Sequence, residues 1–243
     1  MKTSDNTILI TGGASGIGLA LTEQFAATNT VVICGRRKEK LQEAKERLPG
    51  ITTKECDLKN ERERRELAGW LTESFPELNM LINNAGIQQE CDLGALKDIE
   101  RVREELEINF VAPVHLSSLL IPRLKSKLNS AIINISSGLA FTPLAVVPIY
   151  CASKAAMHSY SLTLRYQLSQ STVKVFEIAP PIVDTDLDKG RRGSRQQSHN
   201  GITPEEFARQ AVEAIRNDTY EAAIGSAANL KLKREELFGM LNH

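Results

Sequence analysis

The sequence predicts an α/β protein: a doubly wound parallel sheet of about seven strands with helices on both faces. Three observations carry this. Short β-branched runs alternate with longer segments of helical period along the chain. The runs at 30–34 and 131–135 are apolar almost without a break, which suits strands buried on both faces. Small or hydrogen-bonding residues recur where the strand-like runs end, as expected if one rim of the sheet binds a ligand.

Strands are expected at 7–11, 30–34, 52–56, 80–82, 131–135, 173–178 and 221–224. Helical period marks 17–28, 37–48, 61–75, 99–124, 150–170, 204–216 and 235–241. The helix at 61–75 carries Glu61, Arg62, Glu63, Arg64, Arg65 and Glu66 in succession and reads as a solvated outer face. One segment, 184–203, breaks the rhythm. It is polar and glycine-containing, and irregular stretches of this length inside a compact domain are usually functional lids or mobile loops.

Composition narrows the function class. With 30 basic and 30 acidic residues the formal charge is zero, which gives no global pull toward nucleic acid or anionic lipid. A chain that is 42% hydrophobic and 25% charged is neither largely disordered nor a membrane bundle. The apolar run Ile8-Leu9-Ile10 is too short for a signal-peptide core, and no stretch approaches a membrane span. Cys34, Cys56, Cys91 and Cys151 form no CxxC pair and read as free thiols of a reducing cytoplasm. His115, His158, His199 and His243 form no evident triad or metal set, and His115 and His158 are read as helix-surface or interface residues.

The strand ends hold the chemistry. After the first strand, Thr11-Gly12-Gly13-Ala14-Ser15-Gly16-Ile17-Gly18 opens directly into a helix. Glycines let the backbone turn tightly and approach a pyrophosphate, while the helix N-terminus offers N–H donors. After the second strand come Arg36 and Arg37 and no acid; arginine there accommodates the 2′-phosphate of NADP, where an acid would select NAD. Asp57 follows the third strand, Asn83-Asn84-Ala85-Gly86 the fourth, Ser136-Ser137-Gly138 the fifth and Pro180-Pro181 the sixth. Tyr150 and Lys154 are four residues apart and share a helix face. Ser137 precedes Tyr150 at a strand end, from which the chain can bring its hydroxyl beside the phenol.

These residues resemble the short-chain dehydrogenase/reductases over roughly residues 7–185. Thr11-Gly12-x3-Gly16-Ile17-Gly18 looks like that family's cofactor motif, Asp57 its adenine-contacting acid, and Asn83 to Gly86 its NNAG. Asn109 matches the relay asparagine, and Ser137, Tyr150 and Lys154 match the active-site trio. The chain as a whole resembles the short-chain oxidoreductases encoded with teichoic-acid D-alanylation genes. The resemblance implies a single NAD(P)-binding Rossmann domain over 1–243, with a substrate loop at about 184–203. It implies a cofactor set of Gly12, Ala14, Ser15, Gly16, Ile17, Gly18, Arg36, Arg37, Asp57, Leu58, Asn84, Ala85, Gly86, Tyr150, Lys154, Pro180, Val183 and Thr185, and no metal. Pro181 stands where the family usually has glycine.

The expected reaction is hydride transfer between NADP(H), preferred over NAD(H), and a carbonyl/alcohol substrate. Tyr150 is the expected acid/base, Lys154 lowers its pKa and binds ribose, Ser137 stabilises the substrate oxygen, and Asn109 serves a proton relay. Leu139, Phe141, Pro143, Leu144 and Val147 are expected on the pocket wall; Arg191, Arg192 and Arg195 hint at an anionic substrate, but a flexible solvated loop is the favoured reading of them. A homodimer or homotetramer pairing the helices at 99–124 and 150–170 is expected. The alternative is a non-catalytic dinucleotide-binding redox sensor, which would need none of Ser137, Tyr150, Lys154 and Asn109. An epimerase would call for Gly-x2-Gly-x2-Gly, and a serine hydrolase for GxSxG; Ser15 lacks the second glycine.

Overall fold

The computed structural model describes residues 1–96, 98–188 and 201–242. Seven parallel strands form one sheet in the order β3-β2-β1-β4-β5-β6-β7. They are β1 (Thr7–Thr11), β2 (Thr30–Gly35), β3 (Thr52–Glu55), β4 (Leu78–Asn83), β5 (Ser130–Ile135), β6 (Val173–Ala179) and β7 (Glu221–Ala223). The order reverses between β1 and β4, the switch point at which such sheets open a crevice.

Alternation along each strand divides the core into two layers. Ile8, Ile10, Val31, Ile33, Met80, Ile82, Phe176 and Ile178 face α1 (Gly16–Ala26) and the helix Pro204–Arg216. Leu9, Val32, Cys34, Leu81, Ile132 and Val175 face the opposite way, toward α3 (Glu61–Ser74) and the helices Ala112–Lys125 and Pro148–Gln167. In chain order the remaining helices are α2 (Lys38–Arg47), α4 (Ile99–Leu106), α5 (Ala112–Lys125), α6 (Pro148–Gln167), α7 (Pro204–Arg216), α8 (Ala227–Lys233) and α9 (Phe238–Asn242).

Three expectations need correction. The helix read at 99–124 is two helices joined by a π turn, Glu107–Val111. Pro113, near the start of the second helix, has no N–H to give the Asn109 carbonyl four residues back, which favours a break there. The single helix read at 235–241 is a 3-10 turn over Arg234–Leu237 followed by α9, and α8 before it was not read. The face of α3 is not wholly solvated. Arg64 is 2% exposed, with Nε donating to His115 Nδ1 at 3.0 Å and Nη1 bound to Glu107 Oε1 at 2.6 Å and to the Leu58 carbonyl. A buried guanidinium with three acceptors thus ties the turn after β3 to the start of the π turn. His115 is its partner rather than a free surface group.

Polar side chains dock α5 and α6 on the sheet. Asn83 Nδ2 donates to Ser117 Oγ at 3.1 Å and Asn134 Oδ1 at 2.9 Å, and Asn134 Nδ2 donates to Ser161 Oγ at 2.9 Å. Asn83 is therefore structural, and the rim residue of the asparagine pair is Asn84. All four cysteines are free, and burial pushes the Cys56 thiol up to about 12 and Cys34 higher still.

Candidate active site

The turn after β1 is shaped by glycines at three positions. Gly12 and Gly16 have φ of +65° and +51°, where a side chain is strained. Gly18 is required by space: a Cβ there would stand 2.1 Å from the Gly12 carbonyl oxygen and 2.5 Å from Asn84 Nδ2. The turn after β4 lies against it. Asn84 Nδ2 donates to the Thr11 carbonyl at 2.9 Å, and the Asn84 and Ala85 N–H groups both donate to Thr11 Oγ1 at 3.0 Å. One threonine hydroxyl therefore locks the two rim turns together. Thr185 reaches the same place from beyond β6, since a Cβ on Gly16 would lie 3.1 Å from its methyl group.

The basic pair after β2 divides. Arg37 Nη2 donates to Ser15 Oγ at 2.8 Å, which puts a guanidinium over the glycine turn. Arg36 instead turns to Glu104 on α4, at 3.7 Å, a carboxylate it shares with Lys59. Asp57 accepts the Lys59 N–H at 3.0 Å, and its own N–H donates to Glu63 Oε2 at 2.7 Å, so α3 fixes the rim after β3. Leu58, beside it, is buried.

Tyr150 and Lys154 lie together on α6, beyond the end of β5. Lys154 is 4% exposed, with Nζ donating to the Ile135 carbonyl at 3.0 Å and standing 5.6 Å from the centre of the Tyr150 ring. Burial holds its ammonium down to about 8, against the pull of Glu105 and then Glu177. Gly86 lies against this group: a Cβ there would be 3.6 Å from Nζ and 3.2 Å from Asn109 Oδ1. Asn109 is 1% exposed in the π turn, accepts the Ile87 N–H at 2.8 Å and donates to the Ile87 carbonyl at 2.9 Å and to Ser153 Oγ at 3.1 Å. Ser137 caps the 3-10 turn Gly138–Ala140, accepting the Leu139 N–H at 3.1 Å.

The chain after β6 closes this side. Pro180 is buried, and its carbonyl accepts the Gly138 N–H at 2.9 Å. Val183 is buried and bridges to Ile202, with Asp184 N–H donating to the Ile202 carbonyl at 3.1 Å. The two ends of the 184–203 segment are thereby pinned together. Leu187 packs on the apolar cluster of Val147, Tyr150 and Cys151, joined by Leu139 and Leu144. Phe141 departs from expectation: it is buried edge-on against His158, ring centres 4.8 Å apart, inside the protein rather than on the pocket wall. Arg191, Arg192, Arg195 and His199 lie outside the described residues, as does His243.

Sequence reasoning missed Glu105, buried one turn before Asn109 and lining a cavity of ≈ 200 Å³ with Gln89, Arg101 and Ile149. It also read His158 as a surface or interface group. His158 lies 2.8 Å from Glu177, which is fully buried on β6, and Glu221 closes a trio whose donor atoms fall within 4.8 Å. Each carboxylate already has a nitrogen partner, His158 for Glu177 and Lys231, at 2.7 Å, for Glu221. The trio accordingly reads as a charge network linking α6, β6 and α8.

Comparison with known proteins agrees with this architecture. The short chain dehydrogenase family matches residues 6–196. An uncharacterized oxidoreductase, DltE, of Bacillus subtilis (strain 168) is 46% identical over 223 residues, covering 91% of this chain and 88% of that protein. The NADP-dependent 3-hydroxy acid dehydrogenase YdfG of Escherichia coli (strain K12) is 28% identical over 211 residues, 83% of this chain and 85% of that one. A short chain dehydrogenase from Burkholderia cenocepacia J2315, solved in complex with NADP, superposes with a TM-score of 0.83 at 26% identity, covering 96% of this chain and 94% of its own. Family match, sequence identity and sheet order converge, and the chain belongs to the short chain dehydrogenase family of oxidoreductases.

Proposed function

We propose that the protein is an NADP(H)-dependent oxidoreductase that interconverts a carbonyl and an alcohol, with Tyr150 as the acid/base. The observation that carries the reading is the placement of a buried Lys154 ammonium 5.6 Å from the Tyr150 ring, on the rim that also holds the glycine turn. The dinucleotide fits this rim: the Gly18 position admits no side chain, and Gly12 and Gly16 take backbone angles that favour glycine. The bound nicotinamide supplies the hydride chemistry.

The chain's own residues position and polarise. A free phenol, with a pKa near ~10, is a poor base at neutral pH. An ammonium beside it favours the phenolate, and so tunes Tyr150 to give a proton to a carbonyl oxygen or take one from an alcohol. Ser137, held at the start of its 3-10 turn, would donate to the same oxygen. Asn109, fixed by Ile87 and Ser153, would support proton relay toward Lys154. The rim set of Ala14, Ser15, Ile17, Leu58, Ala85, Val183 and Thr185 would line the cofactor, and the 184–203 segment would close on the substrate from its pinned neck. The substrate remains a carbonyl/alcohol class. A homodimer or homotetramer in the cytoplasm completes the reading; light scattering of the purified protein tests the assembly, and a monomer would remove it.

Cofactor choice rests on Arg37, whose guanidinium is already over the glycine turn, with Arg36 behind it. A charge-assisted bond to a 2′-phosphate contributes roughly 1.5–3 kcal/mol, or about 10–100-fold in affinity. NADPH should therefore bind tighter than NADH by that factor in a fluorescence titration, and Arg37→Ala should erase most of the difference. Equal or tighter NADH binding by the wild-type protein overturns the preference. A screen of carbonyls and alcohols following NADPH absorbance tests the activity itself; cofactor binding with no turnover across a broad panel would favour a redox sensor.

A further inference from the structure

Glu105 belongs to none of the motifs above, yet it is 1% exposed and holds the segment that leads away from the rim. It sits four residues before Asn109, on the same helix face. Both side chains hold the extended segment that follows β4. Asn109 takes the N–H and carbonyl of Ile87, and Glu105 Oε1 accepts the Gln89 N–H at 3.0 Å. An extended chain advances about 6.6 Å in two residues and a helix about 6 Å in four, so one helix face can hold alternate residues of the segment. Gly86, which lies against Lys154 Nζ, is the residue from which that segment starts.

The electrostatics run in the same direction. Burial pushes the Glu105 carboxyl up to about 7, with the Gln89 amide, Arg101 and Lys154 pulling it back. Among the charges acting on Lys154, Glu105 exerts the largest pull toward the ammonium form. Lys154 and Cys151 on α6 and Arg101 on its own helix act on Glu105, and Glu90, Cys91, Asp92 and Asp98 share the lining of its cavity. We propose that Glu105 is a positioning residue for the acid–base pair: with Asn109 it holds the 87–89 segment, and its carboxylate keeps Lys154 in the ammonium form. This rests on the reading of Tyr150 and Lys154 given above.

As pH rises, ionisation of Glu105 opposes loss of the proton from Lys154. Glu105→Gln keeps an oxygen for the Gln89 N–H and removes only the charge. In cofactor-free protein, the Lys154 side-chain NMR resonance, identified by its loss in Lys154→Arg, should then titrate about 1 pH lower than in wild type. The kcat/KM deficit of Glu105→Gln should grow with pH, from under about twofold at pH 6 to about five- to tenfold at pH 8.5. Glu105→Asp, which keeps the charge and gives up reach, should leave the Lys154 midpoint within about 0.3 of wild type. An unmoved midpoint in Glu105→Gln, or a deficit constant with pH, overturns the proposal. If Glu105→Gln does not fold, a displaced midpoint in Glu105→Asp overturns it. A shifted midpoint in a protein that turns over no carbonyl supports the role of Glu105 toward Lys154 and defeats the oxidoreductase reading instead.

Discussion

Tyr150→Phe is expected to lower kcat for carbonyl reduction by about 10²–10⁴-fold, with NADPH affinity changed by less than about threefold. The ring is 5% exposed and stands 5.6 Å from the Lys154 ammonium, so phenylalanine keeps the packing and the cation–ring contact. What goes is the hydroxyl proposed to exchange a proton with the substrate oxygen. Ser137→Ala should cost about 10²–10³-fold by removing a donor to that oxygen. If phenol and serine act on one oxygen as a unit, the double variant should be little worse than Tyr150→Phe alone. Single-turnover NADPH oxidation with any substrate found in the screen measures all three. Near-normal turnover by Tyr150→Phe would take the acid/base role from this residue, and fully additive losses would place Ser137 on a different step.

The sheet and the rim were legible because they depend on local signals. Strand runs two faces deep, a glycine turn leading into a helix, and tyrosine and lysine one turn apart all lie within short windows of sequence. The contributions of α3 and α4 were not legible in that way. Arg64 looks like one charge among six in a solvated helix, and only the packing of α5 reveals that His115 and Glu107 enclose it. Glu105 likewise looks like a surface acid in a charged helix, until the segment after β4 folds over it. Asn83 and Asn84 are adjacent and chemically identical, but strand alternation sends one inward to Ser117 and Asn134 and the other to the glycine turn. The π turn did leave a sequence signal. A proline four residues after Asn109 denies a donor to the Asn109 carbonyl, and that offset marks the break in what otherwise reads as one continuous helix.

Gly18→Ala is the substitution expected to damage the fold of the site most for the fewest atoms added. Its Cβ would meet the Gly12 carbonyl oxygen at 2.1 Å and Asn84 Nδ2 at 2.5 Å. The first contact is backbone, in a turn whose own residue has φ of +65°, so it cannot rotate aside as a flexible side chain would. The second is a side chain already committed to the Thr11 carbonyl at 2.9 Å. Relief requires α1 to move off the β1 turn, which also draws the helix N-terminus away from any bound diphosphate. Overpacking of this kind costs about 3 kcal/mol or more, which in a chain of this size lowers the thermal midpoint by roughly 6–12 °C. NADPH affinity should fall at least about 100-fold. Gly69→Ala is the matched control. Gly69 lies in α3 with nothing within 4 Å of its added Cβ, so the same methyl should raise stability by roughly 0.5–1 kcal/mol. Opposite signs for one chemical change would locate the requirement in the β1–α1 turn. Unaltered melting and NADPH binding in Gly18→Ala would mean that the turn is looser than its contacts imply and is not the seat of the diphosphate.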